Sequence, residues 1–215
     1  MITGPSAGST QRRYATGSII LHWTIAALIV GNIALGVMGR DARPPEKFAI
    51  LDYHKSIGLT ILMLSILRLA WRILNRPPAL PATMPRWERS LAHAIHTSLY
   101  LIMIGLPLSG WIAVTTRVSA PPITYFGVVP WPYFPLVRGL GAEELAKLHL
   151  GFALTHSVLG KITLALLLLH LAGAVKHMVA RDGIIWRMAP LGIFLPGKRM
   201  AKRADPDPDM DSIVI

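Results

Sequence analysis

Residues 148–179 read LHLGFALTHSVLGKITLALLLLHLAGAVKHMV, an apolar run long enough to cross a lipid bilayer as one helix. Histidine occurs four times in this run, as His149, His156, His170 and His177. His156 and His170 are 14 residues apart, almost four helical turns, so both imidazoles project from one helix face about 21 Å apart along the axis. Since the hydrocarbon core of a membrane is about 30 Å thick, these two histidines lie at two depths of one bilayer.

Three further apolar stretches accompany this run. The predicted spans are residues 17–38, 53–74, 91–115 and 148–179. A helix satisfies its own backbone polar groups in lipid, and 53% hydrophobic against 15% charged residues fits a membrane protein. We therefore expect an all-α membrane protein, a four-helix transmembrane bundle formed by one domain, residues 13–190. Residues 1–12 are expected to be disordered, and residues 191–215 to form a flexible cytoplasmic tail.

The chain carries a formal net charge of +11, which on its own would be compatible with nucleic-acid binding. Most of the basic residues, however, fall on one side of the predicted membrane. They are Arg12, Arg13, Arg68, Arg72, Arg76, Arg86, Arg89, Lys176, Arg181, Arg187, Lys198, Arg199, Lys202 and Arg203. This asymmetry follows the positive-inside rule and predicts a membrane protein with both termini in the cytoplasm. Membrane lipid is then an expected partner, and nucleic acid is not.

Two absences narrow the function further. The chain has no cysteine, which excludes disulfides, thiolate nucleophiles, cysteine-bound zinc and iron–sulfur clusters. All eleven acidic residues fall in loops, at span ends or in the tail, whereas ion-coupled transporters usually keep a carboxylate in mid-membrane. Transport is therefore disfavoured. A transporter or sensor that uses these histidines without any haem remains an alternative, and an absorption spectrum of the purified protein would distinguish it, because bound haem absorbs visible light.

Histidines in the first two spans match the two depths of the fourth. His22 lies near the cytoplasmic end of its span, at the level of His170, and His54 opens its span at the outer end, at the level of His156. Intramembrane ionisable groups are costly and usually functional, and neutral imidazole is a good iron ligand. The pattern predicts two haems, held by His22/His170 on the cytoplasmic side and by His54/His156 on the outer side. Two axial histidines leave no open position on the iron, so each haem transfers electrons and binds no oxygen.

Each of the other polar residues near these two depths of the membrane has two interpretations. Arg68 follows His54 by 14 residues and shares its helix face, where a guanidinium is suited to haem propionates or serves as a positive-inside anchor. His93 and His96 open the third span on the cytoplasmic side. In one interpretation they form a second histidine pair that hydrogen-bonds a quinone head or a haem propionate. In the other they are histidines at the membrane interface without a ligand.

The roles of the remaining polar residues of the fourth span also have alternatives. His149 and His177 lie at its two ends, at headgroup level, and are surface residues or quinone contacts. Lys161 lies well inside the span and points about 140° away from the His156 face. Its side chain either snorkels toward the interface or faces a partner.

A series of short motifs runs along the chain from Arg13 to Pro190. They are Arg13-Tyr14, Leu21-His22-Trp23, Tyr53-His54-Lys55-Ser56-Ile57-Gly58, Leu67-Arg68-Leu69, Ala92-His93 with His96, Leu106-Pro107 with Gly110, Phe126-Gly127 with Pro130, His156 with His170, and Arg187-Met188-Ala189-Pro190. In this order the set resembles the bacterial cytochrome b561 family of di-haem, four-helix inner-membrane proteins, which is related to hydrogenase and formate dehydrogenase b-subunits.

The resemblance implies axial haem ligands at His22, His54, His156 and His170. One group in this family looks like superoxide oxidases, which take electrons from superoxide on the periplasmic side and reduce ubiquinone. For this chain it implies a superoxide:ubiquinone oxidoreductase, with superoxide meeting the outer haem edge near Lys55. The related b-subunits imply an alternative, a cytochrome b anchor that passes electrons between a partner dehydrogenase or hydrogenase subunit and quinone.

Overall fold

The computed structural model describes residues 13–75, 78–80, 84–118 and 122–190. The predicted disordered N-terminus (1–12) and the predicted flexible tail (191–215) lie outside the described residues. The elements are helix α1 (Thr16–Asp41), helix α2 (Glu46–Leu74), helix α3 (Arg86–Thr115), strand β1 (Ile123–Tyr125), strand β2 (Val129–Trp131), a 3-10 turn (Pro135–Val137), helix α4 (Ala142–Ala180) and a second 3-10 turn (Ile185–Arg187).

All four α-helices are long and apolar enough to cross a membrane. At most 22% of the most apolar window of any helix is buried inside the protein, so most of that apolar surface is left for lipid. The prediction of an all-α membrane protein with four spans is confirmed. The helices are longer than the predicted spans, since α2 begins at Glu46 and α4 at Ala142. Charged end turns stay helical beyond the hydrocarbon core, where water and headgroups solvate them.

The helices pack as two helical hairpins, α1 with α2 and α3 with α4, and the hairpins meet mainly through α2 and α3. Helices α2 and α3 supply most of the buried helical side chains, with Leu59 and Leu62 in α2 and Ile102 and Met103 in α3. Ile25 of α1 is 1% exposed and is the largest fully buried side chain in the described residues. The core is therefore thin, and the interior is left to the histidines described below.

The loop between α3 and α4 forms an antiparallel hairpin of β1 and β2, in which Ile123 pairs with Trp131. Its turn contains Phe126 at φ 50° and Gly127 at φ 73°, the left-handed geometry that tight hairpins use. The Phe126 N–H donates to Ser56 Oγ at 2.9 Å, and the Tyr125 hydroxyl lies 2.8 Å from Thr60 Oγ1. The hairpin is thus fixed onto α2. The two strands of this loop were not predicted from the sequence.

Three segments meet at the opposite end of the bundle. Arg187 is buried and donates from Nη2 to the carbonyl of Ala79 at 2.9 Å. The Arg187 carbonyl accepts from the N–H of Tyr14 at 3.2 Å, and Arg13 Nη2 donates to the Ala189 carbonyl at 2.8 Å. The chain after α4 therefore holds the start of α1 and the connector between α2 and α3 in one place.

Candidate functional site

The four histidines predicted as ligands form two pairs in the structure. His54 of α2 and His156 of α4 have ring centroids 6.1 Å apart, with their planes at 89°. His22 of α1 and His170 of α4 also have centroids 6.1 Å apart, with an interplanar angle of 71°. We call His54/His156 the outer pair and His22/His170 the inner pair. Helix α4 supplies one member of each.

The separation within each pair fits two imidazoles that share one metal ion. A metal–imidazole nitrogen bond is about 2.0 Å, and each nitrogen lies about 1 Å from its ring centre, so two rings on opposite sides of an ion have centroids about 6 Å apart. Among the described residues, no group of three or more histidine, aspartate and glutamate side chains is arranged to hold one metal ion. Each pair thus offers two ligands, the number that a bis-histidine haem iron takes from a protein.

Backbone carbonyls orient the outer pair. His54 Nδ1 lies 2.9 Å from the Asn32 carbonyl of α1, and His156 Nδ1 lies 3.0 Å from the Leu106 carbonyl of α3. A carbonyl accepts only from an N–H, so the proton of each ring is on Nδ1 and Nε2 keeps its lone pair. This is the tautomer that a metal ion requires from a histidine bound through Nε2.

A glycine lies four residues after each of these carbonyls, one helical turn further along. A Cβ added at Gly36 would lie 3.0 Å from His54 Cε1, and a Cβ added at Gly110 would lie 2.8 Å from His156 Cε1. Cβ atoms in proteins essentially never approach another atom as closely as the 2.8 Å at Gly110, and they rarely approach as closely as the 3.0 Å at Gly36. The absence of a side chain therefore lets each imidazole lie against the neighbouring helix and reach its carbonyl. The sequence analysis noted Gly110 only as part of a motif and did not identify Gly36.

The inner pair has a different environment. Among the described residues, His22 Nδ1 is buried and has no hydrogen-bond partner. His96 of α3 lies against the same pair, with its ring centroid 5.4 Å from that of His170. A buried polar nitrogen without a partner is unfavourable in a protein interior, so this cluster has unused capacity for a ligand or metal. The sequence analysis grouped His96 with His93 and did not predict its contact with His170.

Two arginines lie beside the inner pair. Arg68 is close enough to His22 and His170 to interact with both electrostatically. The guanidinium carbons of Arg68 and Arg72 lie 5.4 Å and 5.1 Å from the Tyr100 ring centroid. Among the described residues neither guanidinium forms an ion pair, so the inner level carries positive charge that an anionic group could neutralise.

A family model described as "Prokaryotic cytochrome b561" matches residues 13–190. The chain belongs to the prokaryotic cytochrome b561 family. It is therefore an electron-transfer protein of a bacterial membrane, and membership of the family implies binding of b-type haem.

Named relatives agree with this assignment. "Cytochrome b561 homolog 2" of Escherichia coli (strain K12) is 30% identical over 190 residues, which cover 84% of this chain and 93% of that protein. "Probable superoxide oxidase CybB" of Yersinia pestis is 28% identical over 188 residues, covering 84% of this chain and 97% of that protein. "Cytochrome b561 homolog 1" of Escherichia coli (strain K12) is 21% identical over 183 residues, covering 84% and 98%.

In this cytochrome b561 family member, Lys55 lies next to His54 at the outer level. Its side chain is 26% exposed, and its ammonium forms an ion pair with Asp52 at 2.5 Å. The cation that sequence analysis placed near the outer haem edge is thus partly neutralised by a carboxylate one turn before it. Any attraction of an anion to this position is correspondingly weak.

The two histidines at the ends of α4 have structural partners. His149 Nδ1 lies 2.7 Å from the Ala113 carbonyl of α3. His177 Nδ1 lies 2.6 Å from Asp182 Oδ2, and His177 Nε2 lies 3.4 Å from Glu88 Oε1. Partial burial raises the pKa of Asp182, but the hydrogen bonds from His177 and from the Ile184 N–H outweigh it, so this pKa lies below its usual value. His149 and His177 therefore fasten α4 to α3 and to the chain beyond it.

A cavity of about 300 Å³ lies between α2 and α3 beside the inner pair. It is lined by Leu69, Arg72, His93, His96, Thr97, Tyr100, Leu101 and Ile104. Its wall combines aliphatic side chains with hydrogen-bonding groups, the mixture typical of pockets for small organic molecules. His93 and His96, grouped by the sequence analysis, both line it.

Proposed function

We propose that this protein holds two b-type haems, one at the His54/His156 pair and one at the His22/His170 pair, and transfers electrons from periplasmic superoxide to ubiquinone. The observation that carries the proposal is the geometry of the two pairs, each with ring centroids 6.1 Å apart. Both pairs use α4, and their histidines on that helix lie about 21 Å apart, so the two haems occupy opposite leaflets.

The net reaction balances in atoms and electrons. Two superoxide ions each give one electron and leave as O₂, and ubiquinone takes the two electrons with two protons to become ubiquinol. Haem, when bound, supplies a one-electron carrier whose potential depends on its axial ligands and its burial. Each histidine pair would supply two ligands to a haem iron, so substrates would exchange electrons with the haem without binding to the iron.

The outer end of the protein suits a small anion better than a bulky donor. The hairpin of β1 and β2 lies over α2 next to His54, with Phe126 and Tyr125 fastened to Ser56 and Thr60. We propose that superoxide approaches beneath this hairpin near Lys55. Steering is modest, because Asp52 pairs with that lysine. The name of the Yersinia pestis relative, probable superoxide oxidase, supports this choice of donor.

The inner level suits a quinone. We place the ubiquinone head in the cavity between α2 and α3, where His93, His96 and Tyr100 offer hydrogen bonds and the aliphatic wall receives the isoprenoid chain. The contact between His96 and His170 brings this cavity next to the inner pair. Arg68 and Arg72 would offer guanidinium groups to the carboxylates of a haem held there. The basic residues at this end also favour a cytoplasmic location for it and for both termini, in the inner membrane.

Rapid mixing tests the choice of electron donor. Superoxide mixed with the purified, oxidised protein is expected to reduce its haem within the observation time of the rapid-mixing experiment. When ubiquinone is present, ubiquinol should be formed. Superoxide dismutase, added as the control, should abolish the reduction. If haem stays oxidised and the protein instead co-purifies with a large dehydrogenase or hydrogenase subunit that reduces it, the anchor-subunit function replaces the one proposed.

Single substitutions test the assignment of ligands. His22→Ala and His170→Ala are expected to remove the inner haem, and His54→Ala and His156→Ala the outer haem, each leaving about one haem per chain. Haem content by pyridine haemochrome and the reduced-minus-oxidised spectrum measure this. His149→Ala is the matched control, because its imidazole lies near the start of α4 and donates to the Ala113 carbonyl of α3, and it should keep both haems. A full haem content in any of the four variants would disprove that ligand.

A further inference from the structure

Lys161 is the midpoint of helix α4, which runs from Ala142 to Ala180. The nearest charged residues on this helix are Lys147 and Lys176, 14 and 15 residues away. At the rise of an α-helix, Lys147 and Lys176 lie about 21 Å and about 22 Å from Lys161 along the axis. The uncharged stretches on the two sides of Lys161 together are therefore longer than the hydrocarbon core of a membrane. The ammonium of Lys161 therefore belongs to the middle of the bilayer.

The side chain of Lys161 points away from the bundle. It is exposed, and the residues one and two turns away on the same face are exposed as well, with Leu154 at 67% and Leu168 at 59%. Among the described residues, no hydrogen bond or ion pair is made by Lys161. This face of α4, which we call the Lys161 face, is the surface that lipid would cover in an isolated molecule.

The lysine side chain is too short to reach water. Lys161 lies five residues from His156 and nine from His170, or about 7.5 Å and about 13.5 Å along the axis. Half the hydrocarbon thickness is about 15 Å. A lysine stem reaches roughly 6 Å, so snorkelling leaves the ammonium within the hydrocarbon. Intramembrane charges face a bundle interior or a partner group, and here the interior lies on the other side of the helix.

We propose that the Lys161 face docks a transmembrane helix of a different protein, one that carries an aspartate or glutamate in mid-membrane opposite Lys161. The chemistry follows from charge complementarity, because an ion pair removes the isolated ammonium from lipid. Ser157 and Ala165, one turn to either side, are small and permit a close approach of the two backbones.

A second copy of this chain does not fit the same face. The four apolar spans, residues 17–38, 53–74, 91–115 and 148–179, contain no aspartate or glutamate. A two-fold dimer through this face would instead bring two Lys161 ammoniums together in lipid, which is repulsive. The partner is therefore a heterologous membrane helix. The inference does not depend on which electron donor or acceptor the haems serve.

A binding measurement with defined peptides tests the proposal. The haem-loaded protein, labelled with a donor dye, is reconstituted in phosphatidylcholine vesicles with acceptor-labelled leucine–alanine helices of about 22 residues that carry Glu, Gln or Lys at the centre. Energy transfer should show the Glu peptide associating about tenfold more tightly than the Gln or Lys peptide. Lys161→Leu should abolish that preference and Lys161→Arg should keep it, both with an unchanged haem spectrum. Equal association of the three peptides with the wild-type protein would overturn the proposal.

Cross-linking in the native membrane gives the second measurement. A photoreactive residue replacing Val158, one turn before Lys161, should form an adduct whose partner peptide comes from a membrane span containing a carboxylate. The adduct should be lost in Lys161→Leu. The same residue at Ile66 of α2, which is 54% exposed, is the matched control for unspecific lipid-facing contacts. Adducts with a second copy of this chain, with lipid alone, or with spans that lack a carboxylate would contradict the proposal.

Discussion

At the scale of single residues, main-chain carbonyls orient both outer histidines, and the Ser109 hydroxyl also lies 3.2 Å from His156 Nδ1. The Asn32 and Leu106 carbonyls accept from the Nδ1–H groups of His54 and His156. The same arrangement occurs in both helical hairpins, where the second helix supplies the histidine and the first supplies the carbonyl. A hydrogen bond that fixes both the tautomer and the orientation of a ligand raises its basicity toward a metal.

Substitution of the two glycines tests this arrangement. Gly110→Ala is expected to push His156 off the Leu106 carbonyl, since its Cβ would lie 2.8 Å from the ring, and Gly36→Ala should act similarly on His54. The outer haem should be lost or its potential and spectrum shifted, while the inner haem stays. Gly105→Ala and Gly31→Ala are the matched controls on the same two helices, because a Cβ there meets nothing within 4 Å. Normal outer-haem spectra in Gly110→Ala would contradict the role given to this glycine.

At the scale of elements, hydropathy located the four helices but not their full lengths. The apolar signal marks only the part of a helix that crosses lipid, so α4 was predicted from 148 although it begins at Ala142. There the Gly141 N–H donates to Glu144 Oε2 at 3.0 Å, a capping contact inside a charged turn that the hydropathy pattern does not report. The hairpin of β1 and β2 was missed because its strands have three residues each, too few for an alternating pattern to show.

The positions of the histidines were more predictable than their surroundings. Helical spacing and span order place His156 with His54 and His170 with His22, and the structure brings these rings together. Sequence alone does not tell which neighbouring backbone a ring meets, so neither the role of Gly36 nor the contact of His96 with His170 was predicted. Those contacts depend on the rotation of each helix about its axis, which packing sets.

The end of α4 provides a prediction on pH. The folded-state pKa of Asp182 is lowered, so its bond to His177 stabilises the fold above the usual aspartate pKa of about 3.9 and is lost as pH falls through the lower folded value. Melting temperatures between pH 7 and pH 3 should fall more for the wild-type protein than for Asp182→Asn. Glu143→Gln, at the exposed opposite end of α4, is the control and should keep the wild-type slope. Identical slopes for Asp182→Asn and wild type would refute the prediction.

At the scale of the whole molecule, the two hairpins join mainly through α2 and α3, and α1 meets α4 chiefly at the inner histidine pair. The protein core is thin, with only 6% of the most apolar α4 window buried. We therefore expect bound haem to stabilise the bundle, because a ligand that binds only the folded state stabilises it by mass action.

Haem removal tests that dependence. Protein produced under haem limitation should melt at a lower temperature than the haem-loaded form, and hydrogen exchange should increase most around His22 and His170, where α1 and α4 have few other contacts. The loop end of the α3–α4 hairpin, at Trp111 and Phe134, serves as the internal reference, since its aromatic rings pack on one another at 5.1 Å. Uniform protection with and without haem would mean that protein contacts alone close the bundle.

One helix, α4, gives a histidine to both pairs, and the spacing between the two levels is therefore set by fourteen peptide units of a single hydrogen-bonded rod. His22 of α1 belongs to the inner pair and His54 of α2 to the outer pair, and the Asn32 carbonyl of α1 also orients His54. Helix α4 alone therefore fixes the spacing between His156 and His170, and it would set the distance for electron transfer between the two haems that we propose.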